Sequence, residues 1–221
     1  MSTCSLQGFA QVRDLKTTRF ALVFVQKLWF CINIFMQLLT KGQKLQQAYR
    51  AHIEPYSKHL QFAVTLTLKQ SALVRVKRFT NYGNNYYEFR QQLNEQTLNS
   101  TIKRFTKTFT SQIYGNYAKH KNKQSWACPL LLVTVEGRNT HKRTHLHLAI
   151  GNIPQSKHQN IEQHIRTAHE RCDFANKEIC VKAIYHAQGW LGYITKELGY
   201  TDNDALDIVS STIPQFIQQR I

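Results

Sequence analysis

The stretch CPLLLVTVEGRNTHKRTHLHLAIGNIP, residues 128 to 154, constrains the fold more than any other part of the chain. Two apolar runs, each long enough for a strand, are joined by a polar and basic turn, which is the pattern of a β-hairpin. The second run contains THLHLAIG. Residues two apart in a strand project from the same side. Leu146, Leu148 and Ile150 are therefore expected to face a core, while His145 and His147 share the other side with Ala149. If Gly137 to Thr144 close the hairpin, Glu136 lies across from His145 and Thr134 across from His147. Two imidazoles and one carboxylate placed in this way can converge on one cation and leave open positions for a substrate. A lone His-Leu-His strand more often carries solvated or satisfied histidines, so the pattern needs independent support. His141 is a rival ligand, but its setting in HKR reads as part of a basic turn.

FAVTLTLKQ, residues 62 to 70, alternates as well, with Phe62, Val64, Leu66 and Leu68 on the apolar side of a half-buried strand. The segment from Tyr86 to about Tyr114 lacks glycine and proline and reads as a helix. A second helix is expected near Lys157 to Arg171, a strand over KEICVKAIY (177 to 185) and a helix over HAQGWLGYITKELGY (186 to 200). This order predicts an α+β fold, an antiparallel central sheet with helices on one face. The chain of 221 residues suits one domain with an extension. The expected division is an apolar helical extension over 1–50, the folded domain over 51–205 and a C-terminal tail over 206–221.

Within the extension, FALVFVQKLWFCINIFMQLL (20 to 39) is apolar at sixteen of twenty positions, long enough to span a bilayer. Lys27 inside it is costly there. A membrane anchor, a helix packed on a partner or on its own domain, and an unstructured extension are the three readings of this segment. No A-x-A cleavage pattern follows, which argues against a signal peptide. Five cysteines, an odd number with no CxxC pair, point to a reducing, cytoplasmic setting.

Lys and Arg number 29 against 13 Asp and Glu, a net charge of +16, which predicts a polyanionic partner. Arg138, Lys142 and Arg143 in the hairpin turn, with Lys119, Lys121 and Lys123 in the loop before it, form a basic surface suited to tracking phosphates. Tyr82, Tyr86, Tyr87, Tyr114, Tyr117 and Trp126 lie among these charges, available either for base stacking or for the core. In GWLGYITKELGY, Leu191, Ile194 and Leu198 make a buried helical stripe, and Tyr193 and Lys196 lie one turn apart on another face. A cation at that spacing favours the charged form of a phenol.

Taken together, these motifs resemble the HUH endonucleases, named for a His-hydrophobic-His strand, and in particular the single-tyrosine rolling-circle replication initiators of plasmids and single-stranded DNA phages. FAVTLTL is similar to the family's first strand motif, with Thr65, Leu66 and Thr67 in place. HLH matches the metal motif, Glu136 the upstream acidic ligand, and YITK the nucleophile motif. The resemblance covers about residues 60 to 200. It implies a ferredoxin-like or RRM-like sheet and a divalent metal, Mg²⁺ or Mn²⁺, held by Glu136, His145 and His147. It further implies nicking of single-stranded DNA at an origin hairpin by Tyr193, with Lys196 orienting the phosphate, inside a bacterial cytoplasm. A host helicase and polymerase would extend the freed end. Two-tyrosine members carry a second tyrosine one turn earlier, where this chain has Gly189. An insertion-sequence transposase or a plasmid relaxase would share the chemistry, although relaxases commonly use three histidines. A basic nucleic-acid-binding protein without catalysis would share only the charge.

Overall fold

A computed structural model describes residues 39–80, 83–119, 126–138 and 142–218. The apolar segment 20–39, apart from Leu39, lies outside the described residues, as do Tyr82, Lys121, Lys123 and His141. Among the described residues, no helix is long and apolar enough to cross a membrane.

The protein is α+β, built on a five-stranded antiparallel sheet. The helices are α1 (Lys41–Ile53), α2 (Glu95–Tyr114), α3 (Ile161–Glu170), α4 (Ala187–Ile194) and α5 (Gln215–Gln218). The strands are β1 (Leu60–Leu68), β2 (Ser71–Thr80), β3 (Gly83–Gln92), β4 (Leu130–Glu136), β5 (His145–Gly151), β6 (Ala175–Ala183) and β7 (Leu206–Thr212). The main sheet runs β6-β1-β5-β4-β7, and β2 and β3 form a separate two-stranded ribbon.

The alternation in β1 sets one side of the sheet. Phe62, Val64, Leu66 and Leu68 are all buried, together with Leu146, Leu148 and Ile150 of β5. Two helices cover this side. α2 starts at an Asn94–Thr97 capping box and presents Leu98, Ile102, Phe105 and Phe109 at helical spacing; α3 adds Ile161 and Ile165. Each such side chain, fully buried, contributes about 1.5–3 kcal/mol.

The other side of the sheet is covered too, which corrects the expectation of helices on one face. Leu130 and Leu132 of β4 and Ala149 of β5 form a second core with Ile53 of α1, Leu191 and Ile194 of α4, and Leu198. α1 therefore belongs to the folded domain, although its sequence fell in the expected extension. The expected C-terminal tail is corrected as well, because Leu206–Thr212 pairs with β4 as an edge strand. The helix expected from Tyr86 begins only at Glu95. The stretch before it is strand β3, where Tyr86, Tyr87 and Phe89 suit a pleated ribbon better than a helix.

Candidate metal centre

The register of β4 on β5 pairs Glu136 with His145 and Thr134 with His147, as the hairpin spacing predicts. Gly137 makes the turn possible. Its φ is +90°, and a Cβ there would lie 2.8 Å from the Arg143 carbonyl oxygen. The donor atoms of Glu136, His145 and His147 all lie within 4.8 Å of one another. Glu136 and His147 are buried and His145 is half-buried.

Each imidazole is held from behind. His145 Nδ1 lies 2.9 Å from the Arg143 carbonyl oxygen, a group that only accepts. An Nδ1–H therefore points at that carbonyl, and Nε2 is turned toward Glu136, whose Oε2 is 3.3 Å away. His147 Nδ1 is 3.0 Å from Thr65 Oγ1, and Thr65 stands opposite His147 in the β1–β5 register. His147 Nε2 meets Glu136 Oε2 at 2.7 Å. Burial lowers the pKa of His147 more than its bond to Glu136 raises it, so the ring is neutral near pH 7.

Glu136 is ionised. Burial opposes its charge, but hydrogen bonds with Lys196, Glu197 and His147 outweigh burial and hold its pKa down at about 2. Lys196 Nζ is 3.0 Å from Oε2, and Lys142 Nζ is 3.5 Å from Oε1 and 3.7 Å from Glu197. Burial works against the charge on Lys196, while Glu136 and Tyr193 raise its pKa overall. Glu197 moves the other way from Glu136: burial, and then its hydrogen bond to Glu136, raise it. A neutral buried imidazole, a second imidazole with its Nε2 turned inward and an ionised carboxylate are a donor set that could bind a metal ion.

Tyr193 lies beside this group. Its ring centroid is 5.1 Å from that of His147, at 82°, and Lys196 Nζ sits 4.1 Å above it. The phenol is partly exposed. Trp190 stacks on it at 5.0 Å and 19° and lies 6.1 Å from His147. α4 is shorter than expected. It ends at Ile194, and Lys196 is reached through a tighter turn in which its N–H bonds to the Tyr193 carbonyl at 3.2 Å. At Gly189 a Cβ would lie 2.6 Å from His186 Nδ1, the group that caps the start of α4. A second tyrosine there would displace the cap.

α1 fixes the other end of the tyrosine helix. Gln46 Nε2 donates to the Thr195 carbonyl at 2.7 Å, and Arg50 Nε donates to Thr195 Oγ1 at 2.9 Å. Gly42 and Gly199 meet backbone to backbone; a Cβ on Gly42 would lie 1.9 Å from the Gly199 oxygen. Sequence reading missed Gln46, Arg50, Trp190 and Glu197. Only Trp190, three residues before Tyr193 on one helix, had a local signal.

The basic residues divide. Lys142 reaches the Glu136 carboxylate, and Arg143 supplies its carbonyl to His145. Arg138 lines an adjoining cleft, its Nε buried without a hydrogen-bond partner among the described residues. Lys119 is elsewhere. It lines a groove with Val209–Thr212, and Thr212 pairs with Leu131, five residues or about 16 Å along β4 from Glu136. Tyr114 is buried, donating to the Asn152 carbonyl, while Tyr117 and Trp126 are exposed and face each other at 5.4 Å.

Comparison with family models, with curated proteins and with solved structures gives no match to this chain. The functional reading therefore rests on the geometry of the site.

Proposed function

We propose that this protein is a metal-dependent enzyme that nicks and rejoins single-stranded DNA through Tyr193. The observation that carries the reading is one contiguous set of groups: a phenol packed on His147, with Lys196 joining that phenol to the Glu136 carboxylate. Glu136, His145 and His147 would hold one divalent cation, Mg²⁺ or Mn²⁺. Bound there, it supplies charge neutralisation at a non-bridging oxygen of the scissile phosphate.

Tyr193 Oη attacks phosphorus, the P–O3′ bond breaks, and the DNA is left as a 5′-phosphotyrosine and a 3′-hydroxyl. The phenolic proton leaves Tyr193 and the departing 3′ oxygen takes one up. Lys196, charged and beside both Tyr193 and Glu136, orients the phosphate against the ring. Trp190, stacked on Tyr193, helps to hold the ring in one orientation. The bond to tyrosine conserves the phosphodiester linkage, so attack by the 3′-hydroxyl reseals the strand. A free 3′-hydroxyl at an origin hairpin is also a primer, which suits the start of rolling-circle replication in a bacterial cytoplasm with a host helicase and polymerase. An HUH transposase or relaxase would use the same groups to a different end.

The test is a pool of single-stranded oligonucleotides tiled across the replicon that encodes the chain, incubated with Mn²⁺. A denaturant-resistant adduct is expected and should vanish in Tyr193→Phe. An adduct that survives that change refutes the nucleophile. Binding without any adduct favours a non-catalytic nucleic-acid-binding protein. Calorimetric titration with Mn²⁺ should show one site that Glu136→Gln and His147→Ala remove. A titration showing none makes the cluster a metal-free ion-pair network.

A further inference from the structure

The β2–β3 ribbon has no place in the chemistry above, yet it is the least ordinary surface of the molecule. Cross-strand partners share a face. On one face the register brings together Val74 with Phe89 and Val76 with Tyr87. On the other it brings together Leu73 with Arg90, Arg75 with Glu88 and Lys77 with Tyr86. At these two pairs the first face is apolar and aromatic. The second carries three cations against one carboxylate. Leu73 is 62% exposed, Tyr86 53%, Tyr87 49% and Phe89 39%. Tyr87 and Phe89 lie against each other at 5.9 Å and 24°, and the Arg75 guanidinium sits 4.3 Å over Tyr86. Among the described residues, no other element packs substantially on this ribbon. A run of exposed rings of this size on a soluble fold marks a surface with a partner.

We infer that the ribbon is a base-stacking arm that holds single-stranded DNA beside the metal centre, a reading that rests on the nicking function proposed above. Its position supports this. Thr67 pairs with His145, and β2 begins at Ser71, so the ribbon leaves the sheet at the end that bears Glu136 and His145. Its neck is closed by the Leu93 N–H on the Gln70 carbonyl at 2.8 Å. Leu93 and Asn94 share a cleft of about 340 Å³ with Arg138 and Thr144 of the metal hairpin. The ten residues of β2 extend about 33 Å, the reach of several nucleotides. The chemistry selects the form of the nucleic acid. A duplex hides its base faces inside its own stack, whereas unpaired bases offer them to tyrosine and phenylalanine rings. On the opposite face, beside Tyr86, Arg75, Lys77 and Arg90 offer cations to the phosphates of a strand that passes round the ribbon's edge.

The experiment measures the anisotropy of a labelled oligo-dT, about 15 nucleotides long, with the full chain in the absence of metal. The double substitution Tyr87→Ala with Phe89→Ala should weaken binding about tenfold or more. Arg75→Ala should lower the slope of log affinity against log salt by about 0.7. Tyr87→Phe with Phe89→Tyr, which keeps both rings, should restore affinity, and a duplex of equal length should bind less tightly. Unchanged affinity in the alanine variant, or a preference for duplex, overturns the inference. So does a loss of stability with affinity retained, which would mean that another segment of this chain covers the rings. Because the assay contains no metal and no cleavage, it is independent of the nuclease reading. The alanine variant should still form the Tyr193 adduct at saturating DNA. If not even the unaltered chain forms an adduct while the ribbon effect persists, the nuclease reading alone falls.

Discussion

Leu148 and Leu73 are the same residue on two hairpins of one protein, and one is 1% exposed while the other is 62% exposed. The β4–β5 hairpin lies at the centre of the sheet between two helical layers, and nearly every residue of it is buried. The β2–β3 ribbon has the same antiparallel pairing but, among the described residues, no element packed substantially on either face. Close packing on both sides lets three donor groups be held within metal-binding distance, because neither strand can twist or slip without disturbing a core. A ribbon tied down only at its neck cannot pre-set such a site. It can follow the contour of a flexible ligand instead. On the function and the DNA arm proposed above, catalysis and recognition fall to the two hairpins according to how tightly each is packed.

The largest effect that tests this contrast is Leu148→Ala. Leu148 packs in the core under α2 and α3, and its truncation leaves a cavity there. The expected loss is about 2–5 kcal/mol, read from the midpoint of urea unfolding. A loss below 1 kcal/mol would show that the central hairpin is not the rigid frame described.

The parts of the fold that were legible in the sequence are those whose signal is local. FAVTLTL and THLHLAIG carry a period of two that only a strand satisfies, and the span from Glu136 to His145 sets the register that joins the three donors. The rest depends on contacts distant in sequence. α1 fell within the expected extension because Gln46 and Arg50 act through hydrogen bonds to Thr195, about 145 residues away. β7 looked like a tail because its pairing depends on an edge left open by β4. The ribbon was hidden for another reason. Absence of glycine and proline was read as helix from Tyr86 onward, although Tyr86, Tyr87 and Phe89 favour a strand and the apolar helical spacing starts only at Leu98. In the site, Thr65 was legible as part of a strand motif, but its task, holding His147 Nδ1, needed the β1–β5 register.

That task gives a prediction of intermediate size. Thr65→Val keeps the shape of the side chain and removes the hydroxyl behind His147. Loss of such a partner costs about 10- to 100-fold in metal affinity, measurable by titration with Mn²⁺. Thr134 is the control. It lies on the same face and pairs with His147 across β4–β5, but its Oγ1 has no hydrogen-bond partner among the described residues. Thr134→Val should leave the affinity unchanged. Equal losses in both variants would mean that packing around the hairpin, rather than the orientation of one imidazole, sets the affinity.

The smallest expected effect completes the comparison on the ribbon. Leu73 stands across from Arg90, on the face with Arg75 and Lys77, and most of its surface already meets water in the folded state. Folding therefore removes little of its apolar area from solvent, and truncation opens no enclosed cavity. What Leu73→Ala does remove is some cross-strand contact with the stem of Arg90 and some strand propensity. The expected change is within about 0.5 kcal/mol, against the several kcal/mol expected for the same substitution at Leu148. Measured side by side in urea, the two variants set the energetic difference between the hairpins directly. A destabilisation of 2 kcal/mol or more at Leu73 would place that side chain in a packed environment. The ribbon would then be a second structural hairpin covered by another part of the chain, and its rings would have no claim on DNA.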